Sequence, residues 1–361
     1  MTGEGLTQLP IPTSPADVDA AWLSRALSAD SEVIVADVVH EEIVRGAGTK
    51  LRVKVRYQSN PTGLPPLLWV KAGWEEHSPA MERAGVYTRE AVFYRDFALT
   101  SRAHAPRCFH ASWDDSGRSV VILEDLITRG ASLWDCRVPR SVADVESLLD
   151  TLAQLHARWW EDDALAAMAN IDVPVDAAGP TAEWPRVNGG ERLRSIIAGE
   201  RGALMPAYAR DAGRIEQAFW TMVDGLGRSQ GRCLLHGDPH PGNCFSDADG
   251  SAGLYDWQTI ACGPWAYDVG YAVVTALEPD QRRASERRLL EQYLDRLRLY
   301  GVANPPAFES AWDDYRRHIA YPLLIWPTNH VSHQSEDNIR ALTARLGAAA
   351  ADFDFFALWG A

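Results

Sequence analysis

The chain has 361 residues, 46% of them hydrophobic and only 23% charged, so it can bury a sizeable core and is not a disordered polymer. A formal net charge of −14 supplies no basic field to hold nucleic acid or an anionic membrane surface. No apolar run approaches the roughly eighteen residues of a membrane-spanning helix, the first residues lack a basic stretch leading into an apolar one, and five scattered cysteines form no C-x-x-C pair. These features predict a soluble, cytoplasmic protein of two lobes with reduced thiols.

Residues 1–30 read as an N-terminal extension ending in a short helix over VDAAWLSRAL, with Ser14 or Asp17 as its cap. Three segments follow, SEVIVADVVHEEI, TKLRVKVRYQ and PLLWVKAGW, whose β-branched and alternating residues predict consecutive antiparallel strands. RGAGT makes the tight turn between the first two. From about Pro79 to Leu99 the spacing predicts one helix, because Val86, Glu90, Phe93, Tyr94 and Phe97 share a face. Glu90 is a carboxylate set within that apolar face. SVVILEDL then predicts a strand ending in two acids.

From Ser141 the pattern is mostly helical. SVADVESLLDTLAQLHARWW begins with Ser141 and Asp144 in the spacing of a capping box. Later helices are predicted over RIEQAFWTMVDGL, DQRRASERRLLEQYLDRLRLYG and SEDNIRALTARLGAAAADFDFFALW. His156, on the apolar face of the first, reads as a satisfied core histidine. The layout is α+β: a small β-rich half at residues 31–126 and a larger, mainly helical half at 127–361.

Within the helical half, CLLHGDPHPGNCF crowds His236, Asp238, His240 and Asn243 between apolar flanks, and GLYDWQTIACGP follows soon after. Short strands near NCFSD and SAGLYDW, joined by DADGS, predict a hairpin with Asn243 and Asp256 at its outer ends. Asp238, Asn243 and Asp256 are hard oxygen ligands that suit magnesium or manganese and not zinc. Magnesium commonly takes one or two protein carboxylates and completes its shell with water and nucleotide phosphates. Asn243 and Asp256 then suffice, and Asp238 is left to accept a hydroxyl proton.

HGDPHPGN followed by YDW resembles the catalytic segment of the aminoglycoside phosphotransferase and choline kinase-like superfamily, relatives of protein kinases that act on small molecules. DWQ is most similar to the ecdysteroid kinase-like and related bacterial branches. Asp238 and Asn243 stand five positions apart, as in the kinase pattern H-R-D-L-x-x-x-N. The resemblance implies a bilobal protein-kinase-like fold and the transfer of a phosphoryl group from Mg2+-ATP to the hydroxyl of a small molecule. It implies Asp238 as catalytic base, His236 as a brace of the catalytic loop, His240 as the family's second loop histidine, and Asn243 and Asp256 as metal ligands. Asp268 would buttress the loop.

On the nucleotide side it implies Lys71, at the end of PLLWVK, as the phosphate-contacting lysine. Glu90 would be its partner, with Glu82, two turns earlier, as a competitor. Backbone groups around Glu124 to Leu126 would hold adenine. Gly46 and Gly48 of RGAGT would lie over the phosphates, although this loop departs from G-x-G-x-x-G. Two other functions are weighed beside this one: a catalytically inactive, kinase-like nucleotide-binding protein, and a metal-dependent phosphohydrolase suggested by GDPH, for which TNHV is a poor match to the remaining motif. Trp326 and the other C-terminal tryptophans are core residues or acceptor-pocket walls.

Overall fold

The computed structural model describes residues 9–28, 31–168, 171 and 173–360. Residues 1–8 and 29–30 of the expected N-terminal extension lie outside them. The chain forms two compact units: residues up to Phe97 together with Pro106–Arg129, and Ala98–Ala105 together with Gly130 onward.

Period-two alternation builds the first unit. Strands β1 (Ile34–Val44), β2 (Thr49–Ser59), β3 (Leu67–Ala72), β4 (Cys108–Trp113) and β5 (Ser119–Glu124) form one antiparallel sheet in the order β1-β2-β3-β5-β4. On β2, Leu51, Val53 and Val55 point into the core while Lys54 and Arg56 face solvent. Val70, Val120 and Ile122 extend that core, and Trp22 and Leu23 of helix α1 (Ala20–Leu27) close it. The cap of α1 is Asp19, whose carboxylate accepts the Trp22 N–H at 2.7 Å. Neither expected cap is used there: Ser14 precedes a separate turn at Pro15–Asp17, and Asp17 accepts the N–H groups of Thr13 and Ser14.

The single helix expected from Pro79 to Leu99 is divided. Helix α2 (Ser78–Arg83) stops at Gly85, whose φ of 70° lies in the left-handed region, and helix α3 (Val86–Val92) starts beyond it and runs into a π-turn at Phe93–Phe97. Beyond the break the expected face holds, and Glu90, Phe93, Tyr94 and Phe97 are all buried.

In the second unit, helix α4 (Val142–Arg158) opens on Ser141 and Asp144 with both capping-box bonds made. Two small sheets carry the loops of interest. One joins β6 (Ser132–Leu133), β8 (Cys244–Ser246) and β9 (Ala252–Leu254); the other pairs β7 (Arg232–Leu235) with β10 (Ala261–Pro264). The helix Ala266–Ala276 is buried around its whole circumference. It is followed by the helices Pro279–Leu299, Ala320–Thr328 and Glu336–Asp352. No helix among the described residues is long and apolar enough to cross a membrane.

Candidate active site

Register on the sheet of the first unit fixes Lys71. It sits on β3 opposite Lys50 of β2 and Val121 of β5, and its Nζ lies 2.7 Å from Glu90 Oε2. Both side chains are almost wholly buried, 5% and 3% exposed. Glu90 and not Glu82 is therefore the partner. The carboxylate in the apolar helical face is stabilised by an ammonium that reaches it from the strand, and without it the burial would cost several kcal/mol.

The loop between β1 and β2 approaches the same lysine. A Cβ on Gly48 would lie 3.3 Å from Lys71 Cε and from the Tyr87 ring, whereas at Gly46 the nearest atom would be 3.8 Å away. Tyr87, one turn before Glu90 on α3, donates its hydroxyl to the Ala47 carbonyl at 2.5 Å. That bond fastens the loop to the helix bearing Glu90, a contact no motif announced. At the end of β5 the Glu124 carboxylate accepts the N–H of Arg107 at 2.7 Å and Arg129 Nη1 at 2.6 Å. Asp125 accepts Arg52 Nε at 2.6 Å, and Leu126 is buried. The segment Glu124–Leu126 is thus held by its side chains.

In the second unit the chain leaves β7 at His236 and turns through Gly237, where φ is 87° and a Cβ would lie 2.2 Å from the Thr259 carbonyl oxygen. Only glycine fits there. The turn is tied to the fully buried Asp268: its carboxylate accepts the His236 N–H at 2.7 Å and the Gly237 N–H at 2.8 Å. His156 Nε2 stands 3.2 Å from the same carboxylate, and its Nδ1 is 2.7 Å from the Tyr293 hydroxyl. His156 is thus the satisfied core histidine its position predicted.

His236 accepts the Asp238 N–H on Nδ1 at 3.2 Å, which leaves Nε2 to donate to the Tyr255 carbonyl at 3.1 Å. Burial lowers its pKa below 6.5 and keeps the ring neutral, against the pull of Asp268 and Asp238. His240 behaves differently. Burial disfavours its charged form, but Asp238 and Cys136 push its pKa up to about 10. Its Nε2 carries a proton and faces Asp238 Oδ2 at 3.4 Å, while its Nδ1 lies 3.0 Å from the Gly242 nitrogen and 3.5 Å from Cys136 Sγ.

Asp238 itself is 25% exposed. Asn243 Nδ2 donates to its carbonyl at 2.9 Å and to its Oδ2 at 3.1 Å. A third group, unannounced by the sequence, is the buried Tyr271, whose ring lies 6.2 Å from that of His240; burial first and the Asp238 charge second raise its pKa well above the usual tyrosine range. Trp326 Nε1 donates to the Tyr271 hydroxyl oxygen at 2.5 Å, and its ring meets that of His240 edge-on at 4.9 Å. Trp326 is buried and serves as a support, not as an open pocket wall.

The expected hairpin is β8 paired with β9 through Cys244↔Leu254, and the Tyr255 N–H donates to the Asn243 carbonyl at 3.0 Å. Asp256 follows directly, with a left-handed φ of 68°. Because both bonds from the Asn243 side chain to Asp238 use its nitrogen, its oxygen is turned the other way. An amide oxygen and a carboxylate at one end of a hairpin are the donor set that Mg2+ accepts when phosphate oxygens and water fill its remaining positions.

Residues 126–304 match the model of the phosphotransferase enzyme family, and residues 47–158 match that of the ecdysteroid kinase-like family. No curated protein matches the chain. Among solved structures the chain is similar to spectinomycin phosphotransferase APH(9)-Ia in complex with ADP and spectinomycin, at 12% identity over 94% of this chain and 99% of that one, TM-score 0.48. Macrolide 2'-phosphotransferase MphH from Brachybacterium faecium is 19% identical over 91% and 98%, TM-score 0.43. A microcompartment-associated aminopropanol kinase is 15% identical over 87% and 90%, TM-score 0.45.

Proposed function

We propose that this chain, whose residues 126–304 match the phosphotransferase enzyme family and 47–158 the ecdysteroid kinase-like family, is an ATP- and Mg2+-dependent kinase that phosphorylates a hydroxyl group of a small molecule by direct in-line transfer. The observation that carries this reading is the Asp238 loop. A carboxylate with one flank open to solvent is gripped by Asn243, whose carbonyl is paired to the residue before Asp256. That arrangement separates the two jobs of the site, since Asp238 faces the acceptor while Asn243 and Asp256 hold the metal.

Lys71, kept extended by Glu90, contacts the nucleotide phosphates, and Gly48 lets the β1–β2 loop come close to that lysine. Backbone groups of Glu124–Leu126 receive the adenine. Asn243 and Asp256 would hold the metal, which when bound would supply positive charge against the phosphates. Asp238 accepts the hydroxyl proton or aligns the hydroxyl for attack, with Asn243 Nδ2 and His240 Nε2 facing its Oδ2. His236 stays neutral and braces the loop, and His240 points its retained proton at the base. No covalent enzyme intermediate is required.

Among the described residues there is no group of three or more His, Cys, Asp or Glu side chains able to hold a metal ion. The phosphohydrolase alternative therefore gains nothing from the structure. The test is coupled ATP turnover with Mg2+ against pooled aminoglycosides, macrolides, amino alcohols, sugars and sterols, with Asp238→Ala as control. Acceptor-dependent turnover abolished by the substitution is the expected result. ATP bound without turnover of any pool favours the inactive nucleotide-binding alternative, and absence of ATP binding overturns the kinase reading.

A further inference from the structure

The loop at residues 45–49, between β1 and β2, is fastened at both ends and in the middle by one stretch of chain, residues 75–87. The Glu75 carboxylate takes both ends: Arg45 Nη1 lies 2.9 and 3.1 Å from its two oxygens, and the Thr49 hydroxyl donates to Oε1 at 2.5 Å. The middle is taken by Tyr87, whose hydroxyl donates to the Ala47 carbonyl at 2.5 Å. With that proton committed, the Ser78 hydroxyl 3.2 Å away donates to the tyrosine oxygen, and Ser78 Oγ in turn accepts the Glu75 N–H at 2.9 Å. Glu75 is therefore bonded into the circuit through both its side chain and its main chain. Thr49, Ser78 and Tyr87 are all buried, so water does not compete for these bonds.

We propose that Glu75 is a positioning residue, a latch that holds the RGAGT loop beside Lys71 in the course it needs to receive nucleotide phosphates. The loop has two glycines in five residues and departs from G-x-G-x-x-G, so its backbone keeps many conformations open unless side chains restrain it. Gly48 must stay close to the lysine, because a Cβ there would lie 3.3 Å from Lys71 Cε. Lys71 has its own carboxylate, Glu90, at 2.7 Å, so the latch can be released without stranding the lysine. The Arg45 guanidinium also offsets the charge of Glu75, and the latch adds no net repulsion against an anionic ligand. A loop ordered before the nucleotide arrives loses less entropy on binding, which places the effect on affinity and not on the transfer step.

The role rests on the kinase reading, and the experiment separates the two. In Glu75→Ala, amide hydrogen exchange at residues 45–49 should accelerate about tenfold while exchange at residues 51–55 of β2 stays as in the parent. KM for ATP should rise about tenfold, with kcat changed by no more than about twofold. Glu75→Gln, which still offers Thr49 an acceptor oxygen, should recover most of the affinity. Thr49→Val removes a single hydroxyl and should give a smaller rise in KM of the same kind, and it carries the test should Glu75→Ala not fold. Unchanged exchange in the loop, equal acceleration along the whole of β2, or a loss in kcat with KM unchanged would each overturn the proposal. Should the parent protein bind no ATP, the kinase reading fails, while the exchange pattern of the variants still decides whether Glu75 holds the loop.

Discussion

Each unit buries one carboxylate on which the proposed function draws, and they satisfy it by different means. In the first unit Glu90 meets an opposite charge, the Lys71 ammonium at 2.7 Å. In the second, Asp268 meets two backbone N–H groups and a histidine, at 2.7, 2.8 and 3.2 Å. An ion pair between side chains can be removed as a pair. Backbone donors cannot be substituted, so a loop hung on them has no second mutation that repairs the first.

That contrast fixes the order of the expected effects. Asp268→Ala orphans two buried N–H groups and should cost about 3–6 kcal/mol of unfolding free energy. Asp268→Asn, with one acceptor oxygen left, should lose less. Denaturant unfolding measures both, and equal losses would show that the carboxylate does not carry the loop. Glu90→Ala strands the Lys71 charge and should cost about 3–5 kcal/mol, but the double change Lys71→Met with Glu90→Leu should recover most of that stability while phosphoryl transfer stays lost. A double variant as unstable as the single one would erase the distinction between the units.

The two regions were also legible to different degrees, for the same physical reason. Lys71 and Glu90 lie on a strand and a helix, where periods of 2 and 3.6 show which residues face inward, and a carboxylate on an apolar face advertises a missing partner. The break at Gly85 escaped that reading because every residue that defined the apolar face, from Val86 to Phe97, lies on one side of it. Strand β4 escaped because CFHASW is half-buried throughout and does not alternate. In the second unit the motif identified Asp238 and Asn243, and the hairpin DADGS located Asp256. Tyr271 and Trp326 carried no signal: their rings reach His240 from helices that lie 31 and 86 residues downstream of it in the chain. Nothing local distinguishes them from core aromatics.

Two left-handed glycines give a finer version of the same contrast. Gly85 has φ 70° and open space where a Cβ would go, so Gly85→Ala should cost only backbone strain, about 1 kcal/mol. Gly237 adds to its φ of 87° a collision with the Thr259 carbonyl oxygen, and Gly237→Ala should cost about 3 kcal/mol and displace Asp238. Thermal unfolding of the two variants side by side, with turnover measured on the second, tests this. Equal stability losses would mean the catalytic-loop turn can relax.

The smallest effect expected is one of pH. His236 is buried and neutral, accepting the Asp238 N–H on one ring nitrogen and donating to the Tyr255 carbonyl from the other. Its folded pKa lies below 6.5, chiefly through burial, while the unfolded chain titrates near 6.5. As pH falls through that value the unfolded state takes up the proton first, so stability present at neutral pH is lost toward acid. His236→Gln offers an acceptor and a donor that do not titrate. The parent's unfolding free energy should therefore fall more steeply than the variant's between about pH 7 and 5. Parallel slopes would mean that His236 titrates alike in both states, and the loop would then be held by Asp268 without the neutral histidine as its second anchor.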